Sequence, residues 1–206
     1  MVIVHGNALD LPFADGSFDH SICIGVLHHT PDCRLGFHEV ARVTGPGGSI
    51  VVFLYNKWSF YNLVYNGFAP VRKRVLLASV PTWMLHLLDP LVALHLGQSL
   101  NNRELRNLLG GALWTPRATF HSVGEVRKWG KQEGLLFLAY RRFFLGYANV
   151  FHFRKPGERT PRGRKEPQFK CLRCGSPEML CRAEEVRCRA RGHVYGIQEG
   201  IVRVIE

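Results

Sequence analysis

Between His5 and Tyr55 the chain reads as strand, helix, strand, and no other stretch limits the fold as tightly. Phe18 to Gly25 is an apolar run short enough for a buried strand. Val26 to Asp32 is a polar turn, with Pro31 and Asp32 making a helix start. Phe37, Val40 and Ala41 then form an apolar face at i, i+3 and i+4. Gly45-Pro46-Gly47-Gly48 is expected to turn the chain into a second apolar strand, Ser49 to Tyr55. This is a βαβ unit of a parallel sheet covered on both faces, and the fold class is α/β.

The block D-L-P-F-x-D-G-S-F-D, V-L-H-H-T-x-D, H-E-V-A-R-V and P-G-G resembles the second half of a class I S-adenosylmethionine (SAM)-dependent methyltransferase. The subgroup is the broad one that includes the ubiquinone and menaquinone biosynthesis enzymes. The resemblance implies an incomplete Rossmann-like sheet, strands three to seven, with a helical lid and with SAM as cofactor. Val2-Ile3-Val4 would be the third strand. The family's first strand ends in a glycine-rich loop, and an acidic residue after the second holds the ribose hydroxyls. Neither is found here; Gly45 to Gly48 precedes a strand and is a turn. In the family's strand order, 3-2-1-4-5-7-6, the first two strands sit between Val2–Val4 and Phe18–Gly25. The expectation is therefore an N-terminally truncated domain whose open edge needs covering, by a missing N-terminal half if the chain is natural.

By the same resemblance, the loop after strand three contacts the adenine, which points to Asn7, Ala8 and Leu9. Asn7 stands where the family usually has Asp, and an amide oxygen accepts the same hydrogen bond. A plain turn role for Asn7 stays open. Asp10 and Asp15 are expected to be solvated. Ligands of open α/β sheets lie outside the carboxyl ends of the strands, which places Gly25 and Val26 at the cofactor and His28 and His29 near the acceptor. Imidazole titrates near neutrality and either histidine is a candidate catalytic base. The other reading is that the pair caps the next helix. His38 and Glu39 are expected to be structural.

After Tyr55, Trp58, Phe60, Tyr61, Tyr65 and Phe68 precede the basic run Arg72-Lys73-Arg74. The apolar stretch from Val75 to Leu96 is interrupted by Pro81, Asp89 and Pro90, so it reads as short lid helices and not as a membrane span. The aromatics are either core or the wall of an apolar pocket for a lipidic or aromatic small-molecule acceptor. Arg117 either faces an anionic group of the substrate or pairs with a surface acid. Ser122 and Glu125 form a capping box for a helix that turns Val126 and Trp129 inward. Leu135 to Tyr140 and Tyr147 to Phe153 read as two antiparallel strands.

Of the 27 Lys and Arg residues, 13 follow Phe153, which makes the tail the basic part of a chain of net charge +11. Arg154 to Pro167 reads as a linker. Beyond it, Cys171, Cys174, Cys188 and His193 stand at C-x2-C-x13-C-x4-H, a spacing that suits tetrahedral zinc on two knuckles. Cys181 fits neither knuckle. G-H-V-Y-G-I-Q-E-G-I resembles the zinc ribbons that activate RNA and protein methyltransferases, or that are fused to ribosomal RNA methyltransferases. Arg191 stands where many of them have the fourth Cys, leaving that place to His193. A closed four-ligand site is structural, and about forty residues have too little core to fold without one.

The expected organisation is thus a partial methyltransferase domain at 1–153 with its lid at about 56–113, a basic linker at 154–168 and a zinc ribbon at 169–206. Free or metal-bound cysteines, with no segment reading as a signal peptide, point to the cytoplasm. Two other functions stand open: an RNA-binding module of an rRNA or tRNA methyltransferase, and an inactive gene fragment.

Overall fold

A computed structural model describes residues 3–67, 90, 101–104, 115–143, 146–158, 168–182, 185–199 and 201–204. Most of the expected lid, including Phe68, Arg72 to Arg74 and most of the run from Val75 to Leu96, lies outside the described residues, as does Arg159 to Pro167 of the linker. The described residues form two sheets.

The first sheet holds β2 (Phe18–Ile24), β3 (Thr44–Tyr55), β5 (Ala148–Arg154) and β4 (Leu136–Phe143) in the order β2-β3-β5-β4. Strands β2 and β3 are parallel and joined by α1 (Cys33–Val43), while β5 and β4 add antiparallel. This is the expected βαβ unit with its antiparallel ending, and the strand order is 4-5-7-6 in the numbering of the resemblance. The side chain of Asp32 caps α1 by accepting from Leu35 N–H. The predicted capping box opens α3 (Val123–Gln132), with Ser122 and Glu125 bonded reciprocally.

Both helices pack on one sheet face. Phe37, Val40 and Ala41 of α1 and Val126 and Trp129 of α3 meet Ile50, Val52, Leu54, Phe151 and Phe153 in one core. Gly130 is required there, because an added Cβ would lie 2.3 Å from the Phe153 ring. The opposite face is more open: Ile22 and Ile24 are 70% and 61% exposed.

The structure differs from expectation at two joints of this sheet. Gly45 to Gly48 lies within β3, where the ladder steps from Phe18–Thr44 directly to His20–Ser49. The extra residues form a bulge, with Gly47 at φ +70°. Lys155 is no linker residue, since its ammonium donates to Ala41 O and Thr44 O at the end of α1, at 2.9 and 2.8 Å. A cation there meets the carbonyls a helix end leaves unsatisfied. Burial lowers its pKa from the usual lysine value.

The second sheet corrects the largest expectation. Strand β1 (Ile3–His5) lies outside the first sheet and pairs in parallel with β9 (Ile201–Arg203). The order is β1-β9-β8-β7-β6, with β6 (Met179–Cys181), β7 (Glu185–Cys188) and β8 (Val194–Gln198) antiparallel. A strand without a neighbour needs one, and β9 supplies it. The pairing also buries apolar area, for Val4, Phe13 and Val204 pack on a core of Phe169, Val186, Tyr195 and Val202. Past the strand, Ala14 N–H donates to Gln168 O and Lys170 N–H to Pro12 O, so residues 3–14 join the C-terminal segment on both sides of the loop between them.

Candidate active site and metal centre

The loop from Gly6 to Leu11 is held from two directions. Leu11 N–H donates to Glu39 Oε2 at 2.7 Å, and Arg42 donates to Leu11 O, Phe13 O, Asp15 Oδ1 and both oxygens of Glu39. Burial pushes the Glu39 carboxyl up, but the hydrogen bonds from Arg42 and Leu11 N–H outweigh it and hold it below its usual value. From the other side Lys170 pairs with Asp10 at 3.0 Å. Asp10 and Asp15 are therefore ion-paired, not merely solvated. Within the loop, Asn7 Oδ1 accepts from Leu9 N–H at 3.0 Å, and Asp10 N–H donates to Asn7 O. The turn role of Asn7 is thus present, and its exposed amide oxygen keeps a second lone pair.

At the carboxyl end of β2, Gly25 takes φ +76° and leads through Val26 into a 3-10 turn, Leu27–His29. An added Cβ at Gly25 would meet nothing within 4 Å, and Val26 is 45% exposed. His28 is fully buried, with its ring 3.8 Å from the Tyr55 ring between centroids, and both its nitrogens have no hydrogen-bond partner. Burial, then the nearby His29, lowers its pKa to about 3. It is neutral near pH 7 and a poor base.

His29 differs. Its Nδ1 lies 2.8 Å from Arg117 O, and a carbonyl only accepts, so Nδ1 carries the hydrogen. In neutral imidazole the lone pair is then on Nε2. The two histidines expected as one unit have separate properties: one is orphaned and buried, the other oriented with an open acceptor.

Around them stands a group of rings. Tyr55 contacts Tyr61, Phe120 and Tyr147 at 5.1, 5.6 and 5.9 Å between centroids. Tyr61 and Tyr65, on α2 (Phe60–Gly67), also face Phe120. Trp58 and Phe60, which the sequence grouped with these, are 80% and 77% exposed. Phe120 and Tyr147 were missed, because only the fold brings residues 65 and 92 positions away to the end of β3. Burial raises the phenol pKa of both Tyr55 and Tyr147, so both remain protonated.

In the second sheet, the ligand atoms of Cys171, Cys174, Cys188 and His193 all lie within 4.8 Å of one another. Cys174 and Cys188 sulfurs are 3.6 Å apart, and Cys171 Sγ is 3.2 Å from His193 Nδ1. Thiolates about 2.3 Å from a tetrahedral zinc stand about 3.7 Å from each other, so the spacing fits. The two knuckles share one build. Gly175 N–H donates to Cys171 O and Gly192 N–H to Cys188 O, and both glycines have φ near +70°. Burial raises the Cys171 thiol, but hydrogen bonds with Tyr195 and His193 bring it to about 6. Cys181 is exposed on β6 and outside the cluster, as its spacing indicated.

Residues 1–52 match the family model described as a methyltransferase domain. The demethylmenaquinone methyltransferase of Corynebacterium urealyticum is 37% identical over 79 residues, which are 38% of this chain and 32% of that protein. The demethylmenaquinone methyltransferase of Halalkalibacterium halodurans is 50% identical over 48 residues, 23% of this chain and 19% of that protein. The chain thus spans a third or less of these relatives. Among solved structures, a SAM-dependent methyltransferase of Thermotoga maritima aligns with 73% of this chain and 62% of its own, at 15% identity and a TM-score of 0.44.

Proposed function

We propose that this chain carries the adenine-side and acceptor-side part of a SAM-dependent methyltransferase acting on a planar aromatic acceptor. Support comes first from the match of residues 1–52 to a methyltransferase domain. The observation that carries the reading to a site is the turn from Gly25 to His29, at the carboxyl end of β2 where open α/β sheets bind ligands. There an imidazole with an open Nε2 stands beside a cluster of aromatic rings.

When bound, SAM supplies a methyl group already activated by a sulfonium. Asn7, Ala8 and Leu9 border the adenine, with Gly25 and Val26 beside the rest of the cofactor. The rings of Tyr55, Tyr61, Phe120 and Tyr147 orient a flat acceptor and keep water out. His29 Nε2 accepts the proton the acceptor loses, while neutral His28 fills the wall beneath it. The relatives' names make a quinol ring the first acceptor to try. The test is transfer of tritiated methyl from SAM to a demethylated naphthoquinol. Incorporation that falls at least a hundredfold in His29→Ala, a typical loss for a general base, supports the reading. Incorporation indifferent to His29→Ala would remove the base from it.

The ribbon has a separate role. Cys171, Cys174, Cys188 and His193 hold one structural zinc ion, on the strength of their mutual spacing and matched knuckles. Metal analysis of the purified chain is expected to find one equivalent.

A further inference from the structure

The segment from Arg117 to Glu125, read in the sequence as a possible anion contact at Arg117 and a helix cap at Ser122 and Glu125, also meets His29 through the Arg117 carbonyl. Resting on the reading of His29 as base, we propose that Thr119, His121 and Glu125 form a positioning chain that fixes His29 in its Nδ1–H form, with Nε2 as the open acceptor.

The chain starts at the rigid end. Glu125 is the third residue of α3, tied to Ser122 by the capping box. Its Oε1 lies 2.9 Å from His121 Nδ1, and a carboxylate only accepts, so that nitrogen carries hydrogen. His121 Nε2 is then directed at Thr119 Oγ1, 2.9 Å away. Thr119 in turn meets His28 O twice, through its N–H at 2.8 Å and its hydroxyl at 3.2 Å. Two residues before it, Arg117 O accepts from His29 Nδ1.

The backbone of His121 anchors the loop independently. Its N–H donates to Tyr55 O at 2.9 Å and its carbonyl accepts from Lys57 N–H at 3.1 Å. The loop therefore lies along the end of β3, and the Thr119 hydroxyl, held by His121, is its side-chain contact to the histidine turn. A hydroxyl has one hydrogen and rotates. With His121 neutral, Thr119 donates to Nε2; with His121 protonated, Nε2 donates and the hydroxyl turns to His28 O. The carbonyl of His28 keeps the Thr119 N–H in both states, so protonation of His121 does not release that contact.

A capping helix alone would need only Ser122 and Glu125. Here the cap carboxylate also accepts from a buried histidine, whose ring packs on Trp129 of α3 at 4.8 Å between centroids and whose Nε2 meets a hydroxyl on the loop. The geometry therefore joins the loop to the helix start.

The test is nitrogen-15 NMR of the His29 ring at pH 7.5, identified by its loss in His29→Gln. The wild type is expected to show the Nδ1–H tautomer. Thr119→Val and His121→Phe, which keep volume and remove hydrogen bonds, should shift the tautomer ratio toward Nε2–H by roughly fivefold, as for one net hydrogen bond. Thr119→Ser should restore the wild-type ratio. In methyl-transfer kinetics the same variants should lower kcat and leave KM for SAM unchanged. An unchanged His29 tautomer in both Thr119→Val and His121→Phe overturns the proposal. So does a Ser variant that behaves like Val. The NMR needs no substrate: a tautomer shift without methyl transfer would sink the functional reading and keep the positioning chain. Should His121→Phe fail to fold, Thr119→Val decides.

Discussion

His28 is a buried ring whose two nitrogens make no hydrogen bond of ordinary geometry, an arrangement that usually costs about 1–3 kcal/mol. His28→Phe is therefore expected to hold or raise stability while altering the ring cluster. Its pKa of about 3 in the folded chain lies below the unfolded value near 6.5, so the unfolded state binds more protons between them. Its contribution to stability is present above pH 6.5 and falls as the pH drops toward 3. Urea midpoints at pH 7.5 and 5 should differ more for wild type than for His28→Phe.

Arg42 carries the opposite sign of argument. It and Glu39 are 13% and 7% exposed, and Arg42→Ala leaves a buried carboxylate unpaired. A loss of about 3 kcal/mol is expected, read as a lower urea midpoint. Because the Glu39 pKa is depressed, the pair's contribution holds above the ordinary glutamate value of about 4.3 and is lost as the pH falls from there through the lowered folded value. The same loss should loosen residues 9–13. The sequence offered His28 and His29 as one pair, either catalytic or capping, and Glu39 as structural. It could not separate the two histidines, because the atom that does so is a carbonyl 88 positions away.

Among the elements, those with a full period were legible. Seven residues of β2, eleven of α1 and the capping box of α3 each state their own conformation. The three residues of β1 state only that they are extended, and nothing in Ile3-Val4-His5 names a partner. Pairing was decided by β9 and by the shared core of Val4, Val202 and Val204. This joint leads to a prediction for the elements it ties. Cys171 directly follows the Phe169–Lys170 segment that pairs with Pro12 to Ala14. Removing zinc with a chelator should raise hydrogen exchange in residues 168–204 and also in 3–14, at least tenfold, while α3 and β5 stay protected. Exchange confined to 168–204 would show the strand pairing to be independent of the metal.

At the scale of the molecule, 13 of the 27 Lys and Arg residues follow Phe153 in a chain of net charge +11, and the first two of them, Arg154 and Lys155, belong to the first sheet and its helix. Arg154 ends β5, and Lys155 closes the helix end of α1. No helix among the described residues is long and apolar enough to cross a membrane. Composition gave no access to the ring cluster, since its members are scattered from Tyr55 to Tyr147 and meet only when β3, α2 and the 115–121 loop converge. The methyl-donor site is the claim on which the functional account turns. It is tested most directly by titrating S-adenosylhomocysteine into the nitrogen-15-labelled chain and mapping amide shifts. The account predicts saturable shifts at Asn7, Ala8, Leu9 and Gly25 to His29. Shifts confined to other residues, or none at millimolar ligand, would contradict it.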